Sequence, residues 1–217
     1  PITSLLSEER AAKWRDKIDA REKITLPRWH PQESPNTTHL SAVDQWGNVV
    51  GLTHSLGSGC DVITQGLGFM YNNCMNCFNP IPGQVNSILP GKSRTTGMAP
   101  TLVKIGEKPY FTVGAPGGTR IVTGILHAIL NVLDHGMTAT EAIAAPRFDC
   151  QGDVIIAQSR IAPSVCERVK AMGHDINRTL SSYGGIASVH GIIIHPETGQ
   201  LDGGADPGSG GMALGVA

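Results

Sequence analysis

Two adjacent threonines follow a polar, proline-rich segment and stand where a strand-like stretch begins. The segment runs from His30 to Asn36, and alternating polarity starts directly after Thr37 and Thr38. If the Asn36–Thr37 bond is cut, Thr37 gains a free α-amine beside its hydroxyl. An amine with a pKa of about 8 can take the hydroxyl proton at neutral pH, so one residue would supply both nucleophile and base. Thr37 is therefore a candidate nucleophile, although a threonine pair is also typical of an ordinary strand start.

A glycine pair, Gly117-Gly118, follows one predicted strand and precedes the apolar stretch Ile121–Leu133. The first N–H groups of a helix have no partner inside the helix and lie at its positive end, so they can bind an anion. A phosphate site is one use of such a turn, but no GK[ST] or complete GxGxxG motif is present here. An oxyanion hole fits better beside a nucleophilic threonine. A tight packing turn is the other interpretation.

Composition excludes several classes of function. The chain has 217 residues, 40% of them hydrophobic and 16% charged, with a net charge of -1 and a pI near 6.8. It has no basic field for nucleic acid or an anionic membrane, and no apolar run of membrane-spanning length. We therefore expect a globular protein with a small-molecule substrate, without nucleic acid or membrane partners.

The cysteines indicate neither a disulfide framework nor a metal site. Their number, 5, is odd, and Cys74-Met-Asn-Cys77 is not followed by the second pair that a zinc site needs. We expect free thiols, which favour a cytoplasmic location, and no metal site. The compartment is left open.

Periodicity and turn residues predict a mixed α and β fold with a long loop region. A short surface helix is predicted over Leu6–Ile18, a linker over Arg21–Asn36, and a loop region over Gly57–Gly97 with a short strand at Leu67–Tyr71. The other predicted helices are Ile121–Leu133, Thr138–Ala145 and Pro163–Met172. The other predicted strands are His39–Asp44, Val49–Ser55, Thr101–Ile105, Tyr110–Gly114, Val154–Ala157, His174–Asn177, Val189–His195 and Met212–Val216.

The order of several short motifs resembles the γ-glutamyltranspeptidases, which are N-terminal-nucleophile hydrolases. Each motif is weak alone, but together they cover nearly all of the chain from Thr37 onward. They are Thr37-Thr38-His39-Leu40-Ser41-Ala42-Val43-Asp44, Gly47-Asn48, Asn72-Asn73, Gly97-Met98-Ala99-Pro100-Thr101, Gly114-Ala115-Pro116-Gly117-Gly118-Thr119-Arg120-Ile121, Ala144-Ala145-Pro146-Arg147-Phe148, Gly204-Ala205-Asp206-Pro207 and Gly210-Gly211.

This resemblance implies a precursor that cuts itself between Asn36 and Thr37. Residues 1–36 would be the tail of a large subunit and the linker before the cut, and residues 37–217 the catalytic small subunit. The implied fold is α+β, an αββα four-layer sandwich completed by that large subunit in a heterodimer or a dimer of heterodimers. Thr37 would be the nucleophile, the Gly117 and Gly118 amides the oxyanion hole, and Ser55 the hydroxyl that supports Thr37.

The implied substrate pocket departs from the family pattern. Gly57 stands where the family has an Asn that holds the γ-glutamyl group, and Cys77 stands where it has an Asp facing the α-amino group. Thr96-Gly97 replaces a Ser-Ser pair that contacts the α-carboxylate. Arg94 is the candidate partner for a substrate carboxylate.

Three functions remain open from the sequence. The first is cleavage or transfer of a γ-glutamyl group, for example from glutathione. The second is the same chemistry on another acyl group, such as a β-lactam side chain, poly-γ-glutamate or an oxamate-like amide. The third is a non-catalytic, uncleaved family member that acts as a binding protein.

Four further residues have structural interpretations. His39 could be a general base, but the terminal amine already fills that role. Arg120 and Arg147 are expected to be ion-pair partners, and Asp206 is expected to brace the glycine loop that follows it.

Overall fold

The computed structural model describes residues 2–23 and 36–216. The helices are α1 (Ile2–Leu5), α2 (Glu8–Asp19), α3 (Ile121–Leu133), α4 (Ala139–Ala144) and α5 (Pro163–Ala171), with short 3-10 helices at Cys74–Cys77 and Gly118–Arg120. The strands are β1 (Thr37–Val43), β2 (Val49–Ser55), β3 (Thr101–Ile105), β4 (Lys108–Gly114), β5 (Phe148–Cys150), β6 (Val154–Ala157), β7 (Asp175–Arg178), β8 (His190–Ile194) and β9 (Leu201–Ala205).

Strands β1 and β2 form an antiparallel hairpin that fixes the position of Thr37. The Asp44 carboxylate accepts hydrogen bonds from the Trp46 and Asn48 amides, and Gly47 takes the positive φ that this turn requires. The register that follows from the turn pairs Thr37 with Ser55 at the far end of the hairpin. The turn sequence therefore determines which residue lies opposite the candidate nucleophile.

A four-stranded sheet in the order β3-β4-β8-β9 stacks on this hairpin. The contact is close, because a Cβ on Gly114 would lie 2.2 Å from the His39 ring. Helices α3 and α4 cover the opposite face of the sheet, and their apolar residues build the core with those of β4 and β8. The buried core residues include Phe111, Val113, Ile121, Ile125, Ile143, Val189 and Ile193.

The outer face of the hairpin is open in the part of the chain that the structure describes. Leu40 lies opposite Leu52 on this face, and their exposed fractions are 58% and 55%. In the described chain, the hairpin and the four-stranded sheet therefore stack with one helical layer, and the outer apolar face of the hairpin is exposed.

A third sheet, of order β5-β6-β7, lies apart from the hairpin, with β6 and β7 parallel. Helix α5 connects β6 to β7 and buries Cys166. Parallel strands need such a crossover connection, which explains the helix between them.

Most predicted elements are confirmed, with bounds that differ by a few residues. The N-terminal helix is α2, capped by Ser7 rather than starting at Leu6. The predicted strand Leu67–Tyr71 is wrong: this region holds only an isolated bridge between Ile63 and Met70. Glycines on either side of Leu67 adopt positive φ, which a regular strand does not tolerate. The linker expected over Arg21–Asn36 lies largely outside the described residues.

The predicted C-terminal strand Met212–Val216 is also wrong, because that stretch has no strand pairing. The last strand is β9, in a segment without the alternation that predicts strands. Gly204 of β9 lies so close to α4 that an added Cβ would sit 2.7 Å from the Ala139 carbonyl oxygen. Close packing between strand and helix, rather than side-chain pattern, explains this glycine-rich strand.

Candidate active site

Thr37 begins β1 with its hydroxyl in a hydrogen-bonded chain. The Thr37 Oγ1 atom lies 2.9 Å from Ser55 Oγ, and the Gly57 amide donates to the same serine oxygen at 3.0 Å. Since Ser55 Oγ accepts from Gly57, its own proton can point toward Thr37. Ser55 can therefore stabilise a developing alkoxide on the threonine.

The bond before Thr37 is held by the same end of the hairpin. The Leu56 amide donates to the Asn36 carbonyl oxygen at 3.2 Å. A hydrogen bond to a carbonyl oxygen favours negative charge on it. The hairpin thus contacts both the hydroxyl and the carbonyl of the Asn36–Thr37 junction.

The glycine pair adopts a conformation that other residues avoid. Gly117 has a φ of 144° and Gly118 a φ of 61°, and Gly118 opens the 3-10 helix that leads into α3. A Cβ on Gly117 would lie 2.5 Å from the Ala187 Cα, and the Ser188 amide donates to the Pro116 carbonyl at 2.9 Å. The chain around residue 187 therefore supports the glycine turn from behind.

The stacking of β1 on β4 directs Thr37 toward this turn. Ser41 Oγ lies 3.5 Å from Thr112 Oγ1, and two residues earlier the His39 ring packs on Gly114. Ser41 thus faces Thr112 and His39 faces Gly114, so moving two residues back along β1 corresponds to moving two residues forward along the chain of β4. The same spacing would place Thr37 near Pro116. Both of these residues line one cavity of about 1410 Å³. The cavity that Thr37 lines therefore reaches the residue before the glycine pair.

His39 is engaged in structure rather than free to act as a base. Its Nδ1 atom lies 2.8 Å from Thr53 Oγ1, and its Nε2 atom lies 3.0 Å from Ser41 Oγ. Burial between the sheets and, to a smaller extent, the charge of His190 together lower the pKa of His39 to about 4. The imidazole is therefore neutral at physiological pH and joins the two sheets.

The residues predicted for the substrate pocket lie along a stretch that we call the site loop, Gly57–Gly97. At its start, Gly57 has a φ of 72° and packs against the backbone of Asn73. At its end, a Cβ on Gly97 would lie 2.4 Å from the Gly118 carbonyl oxygen. The site loop thus connects the Ser55 end of the hairpin to the glycine turn.

Cys77 and Arg94 meet inside the site loop. Arg94 Nη1 lies 3.8 Å from Cys77 Sγ and donates to the Thr95 carbonyl at 3.1 Å. The Thr95 hydroxyl donates to the Cys77 carbonyl at 3.3 Å, and the Thr96 hydroxyl accepts from the Met98 amide at 3.1 Å. The structure therefore brings together the Arg and the Cys that the sequence placed 17 positions apart.

A family model described as gamma-glutamyltranspeptidase matches residues 1–216. The chain belongs to the gamma-glutamyltranspeptidase family. The acylase ACY 1 proenzyme of Pseudomonas sp. (strain V22) is 38% identical over 80% of this chain and 31% of that protein. The glutathione hydrolase proenzyme of Escherichia coli (strain K12) is 30% identical over 96% of this chain and 38% of that protein.

Solved structures agree with the family. Cephalosporin acylase from Bacillus halodurans has a TM-score of 0.85 and 26% identity, over 96% of this chain and 38% of that chain. The predicted fold, that of the N-terminal-nucleophile hydrolases, is confirmed by this likeness. The chain spans about a third of the length of the curated relatives that it matches.

Arg147, at the end of the segment Ala144-Ala145-Pro146-Arg147, is a buried cation. The Arg147 side chain is 2% exposed and forms an ion pair with Asp206, which is fully buried. It also donates to the carbonyl oxygens of Ile143, Ile186 and Ala187. The predicted roles of Arg147 in an ion pair and of Asp206 as a brace are confirmed, since Asp206 also accepts from an amide in the glycine loop.

Arg120 has the other predicted ion pair, with its Nε atom 3.6 Å from Asp149 Oδ2. Sequence reasoning missed Ser41 and Thr53, the partners of His39. Ser41 lies two residues after His39 on the same strand and therefore shares its face, and Thr53 is paired with His39 across the hairpin. The predicted hairpin could therefore have identified both.

No group of three or more His, Cys, Asp or Glu side chains that could hold a metal occurs in residues 2–23 and 36–216. Among the same residues, no helix is long and apolar enough to span a bilayer.

Proposed function

We propose that this chain is the nucleophile-bearing part of an amidohydrolase or acyltransferase, released by self-cleavage before Thr37. The observation that carries the proposal is the 2.9 Å contact between Thr37 Oγ1 and Ser55 Oγ at the junction to be cut. It pairs the candidate nucleophilic hydroxyl with a second hydroxyl at the open end of the hairpin. The family membership of the chain supports the same chemistry.

In the proposed self-cleavage, Thr37 Oγ1 attacks the carbonyl carbon of Asn36 and the C–N bond breaks. The Thr37 nitrogen gains the proton that the hydroxyl loses and becomes an amine, and an ester then links Asn36 to the threonine oxygen. Water then hydrolyses the ester, which leaves a carboxylate on Asn36 and a free amine and hydroxyl on Thr37. The Leu56 amide, 3.2 Å from the Asn36 oxygen, would stabilise the charge on that oxygen.

In the proposed turnover, the free amine of Thr37 takes the hydroxyl proton as the oxygen attacks a substrate amide. The Gly117 and Gly118 amides would bind the oxyanion, and Ser55 would hold the threonine oxygen in place. The amine product leaves with the transferred proton. Water or an acceptor amine then releases the acyl group from Thr37. No cofactor is needed for these steps.

Two candidates remain for the acyl group of the proposed substrate. Relatives named glutathione hydrolase favour a γ-glutamyl group, and relatives named acylase favour another acyl group. The contact between Arg94 and Cys77 favours the second candidate, because a thiol is a weaker partner for a substrate ammonium than a carboxylate.

We propose that the partner is the remainder of the same precursor, as a large subunit. Two observations support this: the relatives are about three times longer than the match, and the outer hairpin face with Leu40 and Leu52 is open among the described residues. An αββα sandwich needs a helical layer on that face. Residues up to Asn36 would then belong to the large subunit.

The test is N-terminal sequencing and mass spectrometry of the complete purified precursor. We expect a fragment that starts at Thr37. Thr37→Ala should abolish both the fragment and turnover of amide substrates. Thr38→Ala is the matched control, because Thr38 is exposed on the opposite face of β1 and should leave cleavage intact. A precursor that stays whole after long incubation would instead support the uncleaved binding protein.

A further inference from the structure

The proposed oxyanion turn has to hold two amides in an unusual backbone conformation. Gly117 and Gly118 both have positive φ, and the Arg120 amide closes the turn by donating to the Gly117 carbonyl at 3.2 Å. Glycine permits this conformation but does not hold the chain in it, because glycine has more backbone freedom than any other residue. The side chains that follow the glycine pair can therefore limit how far the two amides move.

Both residues that follow the pair are attached to the chain at strand β5. The Thr119 hydroxyl donates to Gln151 Oε1 at 2.6 Å. The Arg120 Nε atom lies 3.6 Å from Asp149 Oδ2, and its Nη1 atom donates to the Gly185 carbonyl at 2.5 Å. Asp149 and Gln151, two residues apart, therefore contact consecutive residues of the turn.

Asp149 and Gln151 each leave their second polar atom without a partner. Among residues 2–23 and 36–216, Asp149 Oδ1 and Gln151 Nε2 are buried and take part in no hydrogen bond. Buried polar atoms in folded proteins are nearly always hydrogen-bonded, so each exception needs a reason. In both groups the other atom is engaged with the turn, so the orientation of these side chains serves the turn rather than their own hydrogen bonding.

We propose that Gln151 and Asp149 are positioning residues for the oxyanion turn, acting through Thr119 and Arg120. Gln151 has the larger effect, because its hydrogen bond is short and reaches the residue directly beside Gly118. Asp149 acts one residue further on, through a longer ion pair. This inference rests on the proposed acyl-transfer function and adds to it the residues that hold the oxyanion donors in place.

The first test is the steady-state kinetics of Gln151→Met in the cleaved full-length protein, with γ-glutamyl- and glutaryl-p-nitroanilide as substrates. Oxyanion donors act in the transition state, so disturbing them lowers kcat while KM changes little. Loss of one donor typically costs about 100- to 1000-fold, and Gln151→Met displaces donors without removing them, so we expect kcat to fall about 10-fold with KM within about twofold. An unchanged kcat, or a loss carried by KM, would overturn the inference.

Thr119→Val removes the same hydrogen bond from its other side. It should lower kcat as much as Gln151→Met does, and the double variant should be no worse than either single variant, because both remove one shared contact. Thr119→Ser keeps the hydroxyl and should retain the kcat of the parent. Asp149→Asn should lower kcat less than Gln151→Met. Effects of Thr119→Val and Gln151→Met that multiply in the double variant would refute the shared contact.

Asn131→Leu is the matched control for loss of stability. It also removes a side-chain amide that joins two elements, since Asn131 Nδ2 donates to the Ala142 carbonyl at 3.1 Å, and it lies at the end of α3 away from the turn. We expect it to lower the thermal midpoint and leave kcat unchanged. An equal fall of kcat in Asn131→Leu and Gln151→Met would point to general destabilisation and overturn the inference.

Mass spectrometry for the fragment that starts at Thr37 separates this inference from the proposed function. Gln151→Met should still be cleaved, because the Asn36 carbonyl is bound by the Leu56 amide rather than by the glycine turn. A parent protein without the fragment would contradict the proposed function itself. A cleaved parent with an uncleaved Gln151→Met would make Gln151 a folding residue and overturn the inference alone.

Discussion

Arg147→Met is the substitution with the largest expected effect outside the nucleophile. It removes the partner of a fully buried carboxylate, Asp206, and the donors to three backbone carbonyls. Removing one partner of a buried ion pair typically costs about 3–5 kcal/mol, since the other charge stays buried without compensation. For a unit of this size, about 2–4 °C of thermal midpoint is lost per kcal/mol. We therefore expect a decrease of about 6–20 °C.

Asp206→Asn should cost less than Arg147→Met. The guanidinium then keeps its three carbonyl acceptors, whereas the carboxylate in Arg147→Met keeps only amide donors such as that of Gly208. In the double variant no uncompensated charge remains, so the two effects should combine to less than their sum by about 0.5–3 kcal/mol. Denaturant unfolding of all four proteins measures this coupling.

Arg147→Met should also reduce the turnover of amide substrates. Arg147 holds Ala187, against which Gly117 packs, so its loss loosens the proposed oxyanion turn. We expect kcat to fall more than KM changes. Arg178→Met is the control, because Arg178 also donates to backbone carbonyls but lies on exposed β7, away from the glycine turn. Stability within about 1 kcal/mol of the parent in Arg147→Met, or strictly additive effects in the double variant, would refute this reasoning.

Three further predictions follow from the hairpin and its surroundings. Ser55→Ala removes a hydrogen bond of about 0.5–1.5 kcal/mol from Thr37, so kcat should fall about 2- to 10-fold and recover in Ser55→Thr. Gly57→Ala forces a side chain into positive φ and against a backbone, so stability should fall by about 1–2 kcal/mol or more; Gly59→Ala, with similar φ but looser contacts, should fall less in the same unfolding assay. The folded pKa of His39 is about 4 and the unfolded value 6.5, so its stability contribution is complete above pH 6.5 and lost as pH falls toward 4; His39→Gln should flatten that part of a stability-against-pH curve.

Local rules were enough to predict the hairpin that begins with the candidate nucleophile Thr37. The alternation on both sides of the Asp44–Asn48 turn predicts a hairpin, and its length places Thr37 near Ser55 at the open end. The apolar stretch Ile121–Leu133 is a helix with the predicted bounds. These elements follow from sequence because each depends on a period or a turn within a short segment.

The supports of the site could not be predicted in this way. The burial of Arg147 depends on α4, the chain at Ile186 and Ala187, and Asp206 all converging on one guanidinium, and no local pattern encodes that. Strand β9 was missed because its glycines are selected by close packing on α4 rather than by alternation. The meeting of Cys77 with Arg94 depends on how the irregular site loop folds back on itself.

In the proposed self-cleavage, the hydrogen bond from the Leu56 amide to the Asn36 carbonyl would make cleavage depend on a correctly closed hairpin. Ser55 contacts the Thr37 hydroxyl and the adjacent Leu56 contacts the Asn36 carbonyl. Correct pairing at this end of the hairpin would therefore position both the attacking hydroxyl and the bond to be cleaved. A chain in which this end has slipped by one residue would keep its threonine capped and inert. Only a correctly folded copy would then carry the free Thr37 amine. A misfolded copy would lack this base and could not hydrolyse amides.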